Sequence, residues 1–581
     1  MRSLRVPARW RLAQVDPREA RSLAAALGVA PVTARVLLAR GHQDPAAARR
    51  FLEPSLAHLH DPMLLRDMAV AVERLCRAVS EREPILLYGD YDADGATSLV
   101  MLHKALELAG HRASVQVPHR LRDGYGLHAE FIDRAAGEGI RLVVSLDTGV
   151  RAADAIHRAR ALGVDVIVVD HHLPDRELPP ACAVLNPRRR DCDYPERNLV
   201  AAGVTLKLVQ ALLARLGLAP ARLETLLRSF VKLAAIGTVA DVAPLTGENR
   251  VIVKYGLEGL RSVRNPGLRE LLKAAGFTQG EPLTAEQVAF RLVPRLNAAG
   301  RMAHALNAVR LLLTQEAAEA RELAGQLDGW NRERQQVEAG ILREVEEACL
   351  RTPVSDNDAA LVFHGPFHRG VVGIVAARLV ERYHRPVFVL GEVPGEDLVQ
   401  GSGRSIPAFH LLEALESMAD LFLHYGGHRQ AAGVTLPLAR VAEFRQRLNE
   451  YAAARLKPED FQPCLEVDTE LQLEEITEQA VRELLRFAPF GCGNPLPVVA
   501  LREAEIAGAP AVFKDRHLRI ALRQGNRTLA VKAWDFAHRI EEVAAGARVD
   551  AALAIKTDPF AAARGYPGWS AELMDVHPLR Q

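Results

Sequence analysis

Residues 88–98 read YGDYDADGATS, with Asp90, Asp92 and Asp94 on alternate positions and Gly95 directly behind them. Asp-x-Asp-x-Asp-Gly is also how a helix-flanked calcium loop opens, and such a loop needs a bidentate glutamate at its twelfth position. Counted from Asp90 that position is Met101, which cannot ligate a hard cation. The flanks also argue against calcium. PILLYG (84–89) is a short apolar run beginning at a proline and predicts a buried strand. ATSLVMLHKALELAG (96–110) carries apolar residues at helical spacing and ends on glycine, the pattern of a helix with its stop signal. The stretch is a strand, an acidic turn and a helix.

The alternation continues outward from this unit. SVQVPH (114–119), LVVSLD (142–147), VDVIVVD (164–170) and CAVLNP (182–187) read as strands, separated by helices near 129–137 and 151–162. Strands this rich in Val, Ile and Leu, alternating with helices, predict a parallel sheet covered on both faces. Residues 200–350 read as mostly helical, closing in the charge-dense stretch EAAEARELAGQLDGWNRERQQVEAGILREVEEA (316–348), a long connecting helix at which the main domain break is expected. A second α/β unit starts near residue 360 and runs to about 455. From 464 the pattern turns β-rich, and HLRIALR (517–523) and RTLAVKAW (527–534) alternate around a QGN hairpin signal. The organisation expected is an Arg-rich helical segment 1–80, a parallel-sheet domain 81–265, a helical connector 266–352, a second α/β domain 353–460 and a β domain 461–581.

Composition excludes little. At 581 residues, 49% hydrophobic and 25% charged, the chain has the make-up of an ordinary globular protein, and its net charge is only +1. The charge is uneven. Residues 1–50 hold ten arginines against Asp16, Glu19 and Asp44, and residues 514–532 hold six Lys or Arg against Asp515. Each is a candidate phosphate-attracting patch or a solvated face. Along the C-terminal hairpin Leu518, Ile520 and Leu522 point one way and Arg519 and Arg523 the other, while Lys532 and Trp534 share a face. Basic residues beside an outward aromatic suit a small barrel that binds single strands by stacking and charge. Six cysteines without a C-x-x-C pair fit a reducing compartment with no disulfide frame or structural zinc. With no apolar run of membrane-spanning length and no signal-peptide core, the expected location is cytoplasmic, with no membrane partner.

The chemistry gathers at the strand ends. Asp92 and Asp94 follow the first strand of the parallel sheet, Asp147 ends the third, and Asp170, His171 and His172 end the fourth. All face the carboxyl edge, where open parallel sheets bind ligands. Asp241, in AAIGTVADVAPL (234–245), joins them as a candidate leaving an apolar helix. Carboxylates crowded this closely repel one another unless cations sit among them. Carboxylates with imidazole favour Mn²⁺ or Mg²⁺. Two such ions ~4 Å apart, bridged by one aspartate, form the arrangement that activates water for in-line phosphoryl displacement.

DYDADG, SLDTG (145–149), DHH (170–172) and GTVADV (237–242) resemble the four motifs of the DHH phosphoesterase superfamily. RLRDGYGL (120–127), PRLNAAGRM (294–302), FHRGVVGIVAARL (367–379), GSGRS (401–405), HYGGHRQAAG (424–433) and PFGCGNPLP (489–497) extend the likeness, in order, to its bacterial single-strand-specific 5′→3′ DNA exonucleases, over roughly residues 35–570. The resemblance implies a DHH domain, a DHHA1 domain and a C-terminal OB-fold. It implies Asp92, Asp94, Asp147, His171 and Asp241 as ligands of two Mn²⁺ or Mg²⁺ ions, with Asp147 bridging, His172 facing the scissile phosphate and Asp170 orienting an imidazole. Asp90 belongs to the motif without being assigned as a ligand. GSGRS reads as a Gly-rich turn with Ser402 and Arg404, an anion cradle which, with Arg301, would hold the 5′ phosphate. Arg120 and Tyr125 would line the approach, the tyrosine by stacking. His428 and His424 are spaced His-x-x-x-His, but Gly426 and Gly427 between them predict a backbone-close loop rather than a metal-binding helix turn. Arg519 and Trp534 would bind the strand on the OB-fold.

The implied activity is metal-dependent release of 5′ mononucleotides from single-stranded DNA with a free 5′ end, in repair and recombination. A monomer is implied, with a RecQ-type helicase and a single-stranded-DNA-binding protein as associates. A phosphodiesterase of very short oligonucleotides and a catalytically dead binding subunit are the alternatives. Chain length and the separate basic β domain weigh against the first, and the intact set of motifs against the second.

Overall fold

The computed structural model describes residues 7–120, 122–351, 353–355 and 357–579; Arg2 and Arg5 of the N-terminal basic cluster lie outside the described residues. The chain forms two compact units. One holds Pro54–Gln336 together with Pro489–Pro495, and the other holds the chain up to Glu53, Val337–Ala488 and Leu496 onward. No single helix among the described residues is long and apolar enough to cross a membrane.

The first strand, β1 (Arg9–Leu12), belongs to the second unit. In the first unit β2 (Ile85–Gly89), β3 (Ser114–Gln116), β4 (Leu142–Leu146), β5 (Asp165–Val169) and β6 (Ala183–Leu185) form an all-parallel sheet in the order β3-β2-β4-β5-β6. Alternate residues of each strand enter opposite cores. Leu87, Val144, Ile167 and Val169 pack on one face and Tyr88, Val143, Val166 and Val168 on the other. That two-sided burial explains why these strands read as unbroken apolar runs. β2 has β3 on one side and β4 on the other, so the strand order reverses between β2 and β4, where an open α/β sheet leaves a crevice. Helices Ala93–Leu108, Ala201–Arg215 and Pro220–Ala240 stack behind this point within the larger core. The connecting helix is a single 35-residue helix, Ala317–Arg351, and the boundary between the units falls inside it.

In the second unit β7 (Leu361–Gly365), β8 (Val387–Glu392), β9 (Leu398–Arg404), β10 (His424–Gly427) and β11 (Ala431–Pro437) form a sheet in the order β10-β11-β9-β8-β7, in which β7 and β8 alone run parallel. This corrects one expectation. GSGRS is not a turn: residues 401–404 lie in β9, paired with β8 on one side and β11 on the other, so their N–H groups belong to the sheet. The glycines serve packing instead, since a Cβ on Gly403 would lie 2.5 Å from the Phe388 ring.

The C-terminal strands are β12 (Cys464–Val467), β13 (Thr469–Leu471), β14 (Val498–Ile506), β15 (Ala511–Phe513), β16 (His517–Gln524), β17 (Arg527–Ala533), β18 (Arg548–Thr557) and β19 (Trp569–Pro578). The run β14-β18-β19-β17-β16 returns on itself through a β14–β16 pairing, so five strands form a ring around Leu518, Ile520, Leu522, Val531 and Leu553. The expected hairpin is present, with Gln524 opposite Arg527 across Gly525-Asn526. β1 runs parallel to β12, a strand in a segment expected to be helical. Arg11, Arg35 and Arg40 of the basic N-terminal stretch pair with Glu466, Glu475 and Asp468 of the same unit. Part of that charge is thus neutralised internally.

Candidate active site

The turn after β2 is built to present carboxylates. Asp92 caps the helix Ala93–Leu108, its Oδ1 accepting from the N–H groups of Asp94 (2.9 Å) and Gly95 (3.1 Å). Asp94, one residue into the helix, is buried and turned toward the next element. Its two oxygens accept from Ala202 and Ala201, both at 2.9 Å, at the start of helix Ala201–Arg215. That helix terminus both orients the carboxylate and favours its negative charge. Asn297 Oδ1 holds the turn from outside by accepting from Ala93 N–H at 2.8 Å.

Asp147 ends β4 in the left-handed region (φ 65°), which a non-glycine residue adopts at a cost and which clusters at functional sites. Its buried Oδ1 lies 3.2 Å from His171 Nε2. The same nitrogen is 3.6 Å from Asp241 Oδ2 and 4.0 Å from Asp94 Oδ2. Three groups result, in each of which the potential ligand atoms lie within 4.8 Å of one another: Asp90, Asp92 and Asp147; Asp94, His171 and Asp241; Asp147, His171 and His172. Asp147 and His171 each belong to two of them. Asp90, which the sequence left unassigned, sits inside the cluster.

Asp170 plays a different part. Completely buried, it accepts through Oδ1 from His171 N–H (2.7 Å), His172 N–H (3.1 Å) and His172 Nδ1 (2.7 Å), and through Oδ2 from Val150 N–H (3.0 Å). It therefore fixes the His172 ring, as expected of it. The Tyr125 hydroxyl lies 3.1 Å from His172 Nδ1 and donates to the Asp147 carbonyl at 3.3 Å, so the tyrosine meets the histidine through its oxygen as well as its ring. Asn186 Nδ2 donates to the His172 carbonyl at 2.8 Å from the far side.

The electrostatics of this cluster are unfavourable by themselves. Burial, then the charge of Asp94 and its neighbours, drives the Asp147 carboxyl well above the ordinary range. Burial followed by Asp241 does the same to Asp94, and burial followed by Asp92 to Asp90. Asp241 is pushed up to about 7 by burial and then by Asp92. His171 is pushed down to about 3 by burial and then by the charge on His172, which leaves it a neutral imidazole with one ring nitrogen free to offer a lone pair. Burial opposes the charged form of Asp170 too, but the hydrogen bond and charge of His172, the charge of His171 and the Val150 N–H together outweigh it and hold the carboxyl below its usual value. Asp147 Oδ1, Asp90 Oδ1 and both ring nitrogens of His171 are buried without a hydrogen-bond partner among the described residues. Buried acceptors left this way are costly, and cations that favour carboxylate and imidazole would satisfy them. The donor set fits divalent cations.

Residues 84–238 match the DHH family N-terminal domain, 357–454 the DHHA1 domain and 467–565 the RecJ OB domain. The chain is 38% identical over 544 residues to the single-stranded-DNA-specific exonuclease RecJ of Thermus thermophilus, covering 93% of this chain and 75% of that protein. It is 36% identical over 482 residues to the RecJ of Escherichia coli, covering 81% and 82%. The chain belongs to the RecJ family. Its fold agrees with the crystal structure of Thermus thermophilus RecJ in complex with Mn²⁺ at a TM-score of 0.84 and 33% identity, covering all of this chain and 81% of that one. The RecJ crystal structure in complex with Mg²⁺ gives 0.78.

The other residues singled out in this RecJ-family chain are not all gathered at the cluster. Arg120 lies over the Tyr91 ring at 4.6 Å, beside the acidic turn. Arg301 is in helix Val293–Met302, which approaches the same tyrosine so closely that a Cβ on Gly300 would sit 2.7 Å from its carbonyl. Ser402 and Arg404 are in the other unit, on one face of β9. They face the N-terminus of helix Val372–Tyr383, where a Cβ on Gly373 would meet Arg404 Nη2 at 3.2 Å. The backbone beside Arg404 is therefore that of a helix end rather than of a turn. His428 is exposed in the hairpin between β10 and β11, its N–H bonded to the Ala431 carbonyl, the backbone-close loop expected. Arg519 is cross-strand from Lys532 and stands over the Phe513 ring at 5.8 Å. Trp534 packs against Phe513 and His517 and donates to Glu572. Arg523 and Lys532 are ion-paired with Glu505 and Asp558, so the basic face is less charged than its sequence implies.

Proposed function

We propose that the chain is a metal-dependent 5′→3′ exonuclease that hydrolyses single-stranded DNA to 5′ mononucleotides. The observation that carries this is the cluster of Asp92, Asp94, Asp147, Asp241 and His171, in which buried Asp94, Asp147 and His171 meet half-buried Asp92 and more exposed Asp241, and the crowded carboxylates repel one another. These residues would hold two Mn²⁺ or Mg²⁺ ions, with Asp147 shared between them. When bound, the ions supply a nucleophile from water at neutral pH and stabilise charge on the attacking and leaving oxygens.

The chain's own groups do the rest. The helix end at Ala201–Ala202 and the capped turn at Asp92 hold the carboxylates in place before substrate arrives, so little reorganisation is needed during the reaction. Burial lowers the affinity of His172 for a proton, while Asp170 and then Asp241 and Asp90 raise it, and together they outweigh burial. The imidazole so placed would face and stabilise the scissile phosphate. Tyr125, bonded toward His172, would limit how the terminal nucleotide enters. Ser402, Arg404 and the start of helix Val372–Tyr383 form a suitable 5′-phosphate cradle, and Arg120 and Arg301 would line the approach. On the OB domain Arg519, Phe513 and Trp534 offer charge and ring faces to following bases. A single strand with a free 5′ end has to be opened from duplex. A RecQ-type helicase and a single-stranded-DNA-binding protein are therefore the partners proposed, with the chain acting as a monomer in the cytoplasm.

Strands labelled at the 5′ or the 3′ end test this directly. With Mn²⁺ or Mg²⁺, a 5′ label should be released at once as mononucleotide while a 3′ label remains on progressively shorter products, and EDTA should stop both. Comparable cleavage of a closed single-stranded circle would overturn the exonuclease reading.

A further inference from the structure

The motif PFGCGNPLP has no part in the chemistry above, yet its place in the fold is specific. Residues Pro489–Pro495 pack with the catalytic unit although the chain on both sides of them belongs to the other unit. Gly491 and Asn494 exchange backbone hydrogen bonds at 2.9 and 3.2 Å, and the buried Asn494 side chain donates to the Pro489 carbonyl at 2.8 Å. The result is a tight, internally tied turn. Its Cys492 carbonyl accepts from Leu245 N–H at 2.7 Å. Gly493, at φ 67°, comes so close that a Cβ there would lie 2.8 Å from Pro244 Cβ, and one on Gly491 would lie 2.7 Å from Leu245 Cδ1.

Pro244 and Leu245 end the segment that starts at Asp241. Asp241 terminates helix Pro220–Ala240, and the next residue, Val242, takes the left-handed conformation (φ 55°). Ala243 N–H bonds to the Thr238 carbonyl and Val242 N–H to Val239, the helix-ending pattern in which glycine normally holds that position. A β-branched residue there is a true outlier. Val242 is 67% exposed, so its own side chain contributes little packing to hold the turn. Strain of this kind persists only where the surroundings over-determine it. The turn at 491–494 is the element seated on its downstream end.

We propose that the Gly491–Asn494 turn is a positioning strap that holds the strained Asp241–Val242 turn and, through it, aims the Asp241 carboxylate at the cluster. The strap acts through Asp241 and touches no substrate. The inference rests on Asp241 serving as a metal ligand.

The test uses the full chain, with Mn²⁺ alone as the probe and free Mn²⁺ followed by electron paramagnetic resonance, alongside turnover on a single-stranded oligonucleotide. Gly493→Ala should weaken Mn²⁺ binding by about 10- to 100-fold, the range for groups that orient a metal ligand. Adding Val242→Gly, which removes the strain the strap restrains, should return the affinity to within about threefold of wild type and restore turnover with it. A loop with only a general structural role would not be rescued at an exposed residue of another segment. Should Gly493→Ala fail to fold, Gly491→Ala, whose Cβ meets only the end of a leucine side chain, carries the same comparison. Wild-type affinity in the folded loop variant, or a double variant as weak as the single one, would overturn the strap. A wild-type chain that binds no Mn²⁺ would instead overturn the metal reading of the site.

Discussion

Asp147→Ala should lower turnover on single-stranded DNA by about 10³-fold or more, the scale of removing a group that stabilises charge in the transition state. Asp147 belongs to two of the three ligand groups, stands 3.2 Å from His171 and has an unpartnered buried oxygen. The effect on stability should be opposite in sign. Burial and the charges of Asp94, Asp92 and Asp90 disfavour ionised Asp147, so its removal relieves repulsion in the cation-free protein. Without cation the variant should melt at the wild-type temperature or slightly above it. The rise in melting temperature that Mn²⁺ gives the wild type should largely disappear, since a ligand stabilises only as much as it binds. Binding of a single-stranded oligonucleotide should persist through residues away from the cluster. Single-turnover cleavage and melting curves with and without Mn²⁺ check this, and near-normal turnover in the variant would refute the assignment.

Gly237→Ala should damage the site although it removes no functional group. A Cβ on Gly237 would fall 2.5 Å from Asp94 Oδ1, 2.6 Å from Ala202 Cβ and 2.8 Å from Thr97 Oγ1. In an open helix alanine would be favoured over glycine by about 1 kcal/mol. Here overpacking costs about 1–3 kcal/mol and prevails. The displaced group is Asp94, held between two helix-terminal N–H groups, so the strain is delivered to the cluster. Misplacement of a reacting group by about 1 Å costs on the order of 10²-fold in rate. Turnover should fall by that order, with weaker Mn²⁺ binding and a lower melting temperature. A variant as active and stable as wild type would show that the Gly237 contact leaves Asp94 free to move.

The sheet and its acidic edge were legible because their causes are local. Apolar runs between helical patterns dictate a parallel sheet, and Asp92, Asp94, Asp147 and the Asp170–His172 triplet fall at strand ends whatever else the chain does. The supports of the cluster were hidden for the opposite reason. Asp94 is anchored by backbone N–H groups of Ala201 and Ala202, which leave no mark in residue type, and Ala93 by Asn297, 204 positions away. Asp90 is drawn into the cluster by the curl of the turn, which alternation along a strand cannot foretell. GSGRS was misread because glycine in a turn and glycine in a crowded central strand look alike in sequence, and only the Phe388 ring distinguishes them. The choice between a phosphate patch and a solvated face stayed open for the N-terminal arginines because Glu466, Asp468 and Glu475, partners of Arg11, Arg40 and Arg35, lie more than 400 positions away. Likewise, nothing in PFGCGNPLP announces that its turn seats against Pro244 and Leu245.

The carboxyl edge between β2 and β4 is expected to hold two divalent cations in one acidic cluster. Anomalous diffraction at the manganese edge from crystals grown with Mn²⁺ would locate them. Two peaks about 4 Å apart are expected, both in contact with Asp147, with Asp92, Asp94, His171 and Asp241 divided between them. Manganese absent from this cluster at saturating concentration, or bound without Asp147, would contradict that expectation.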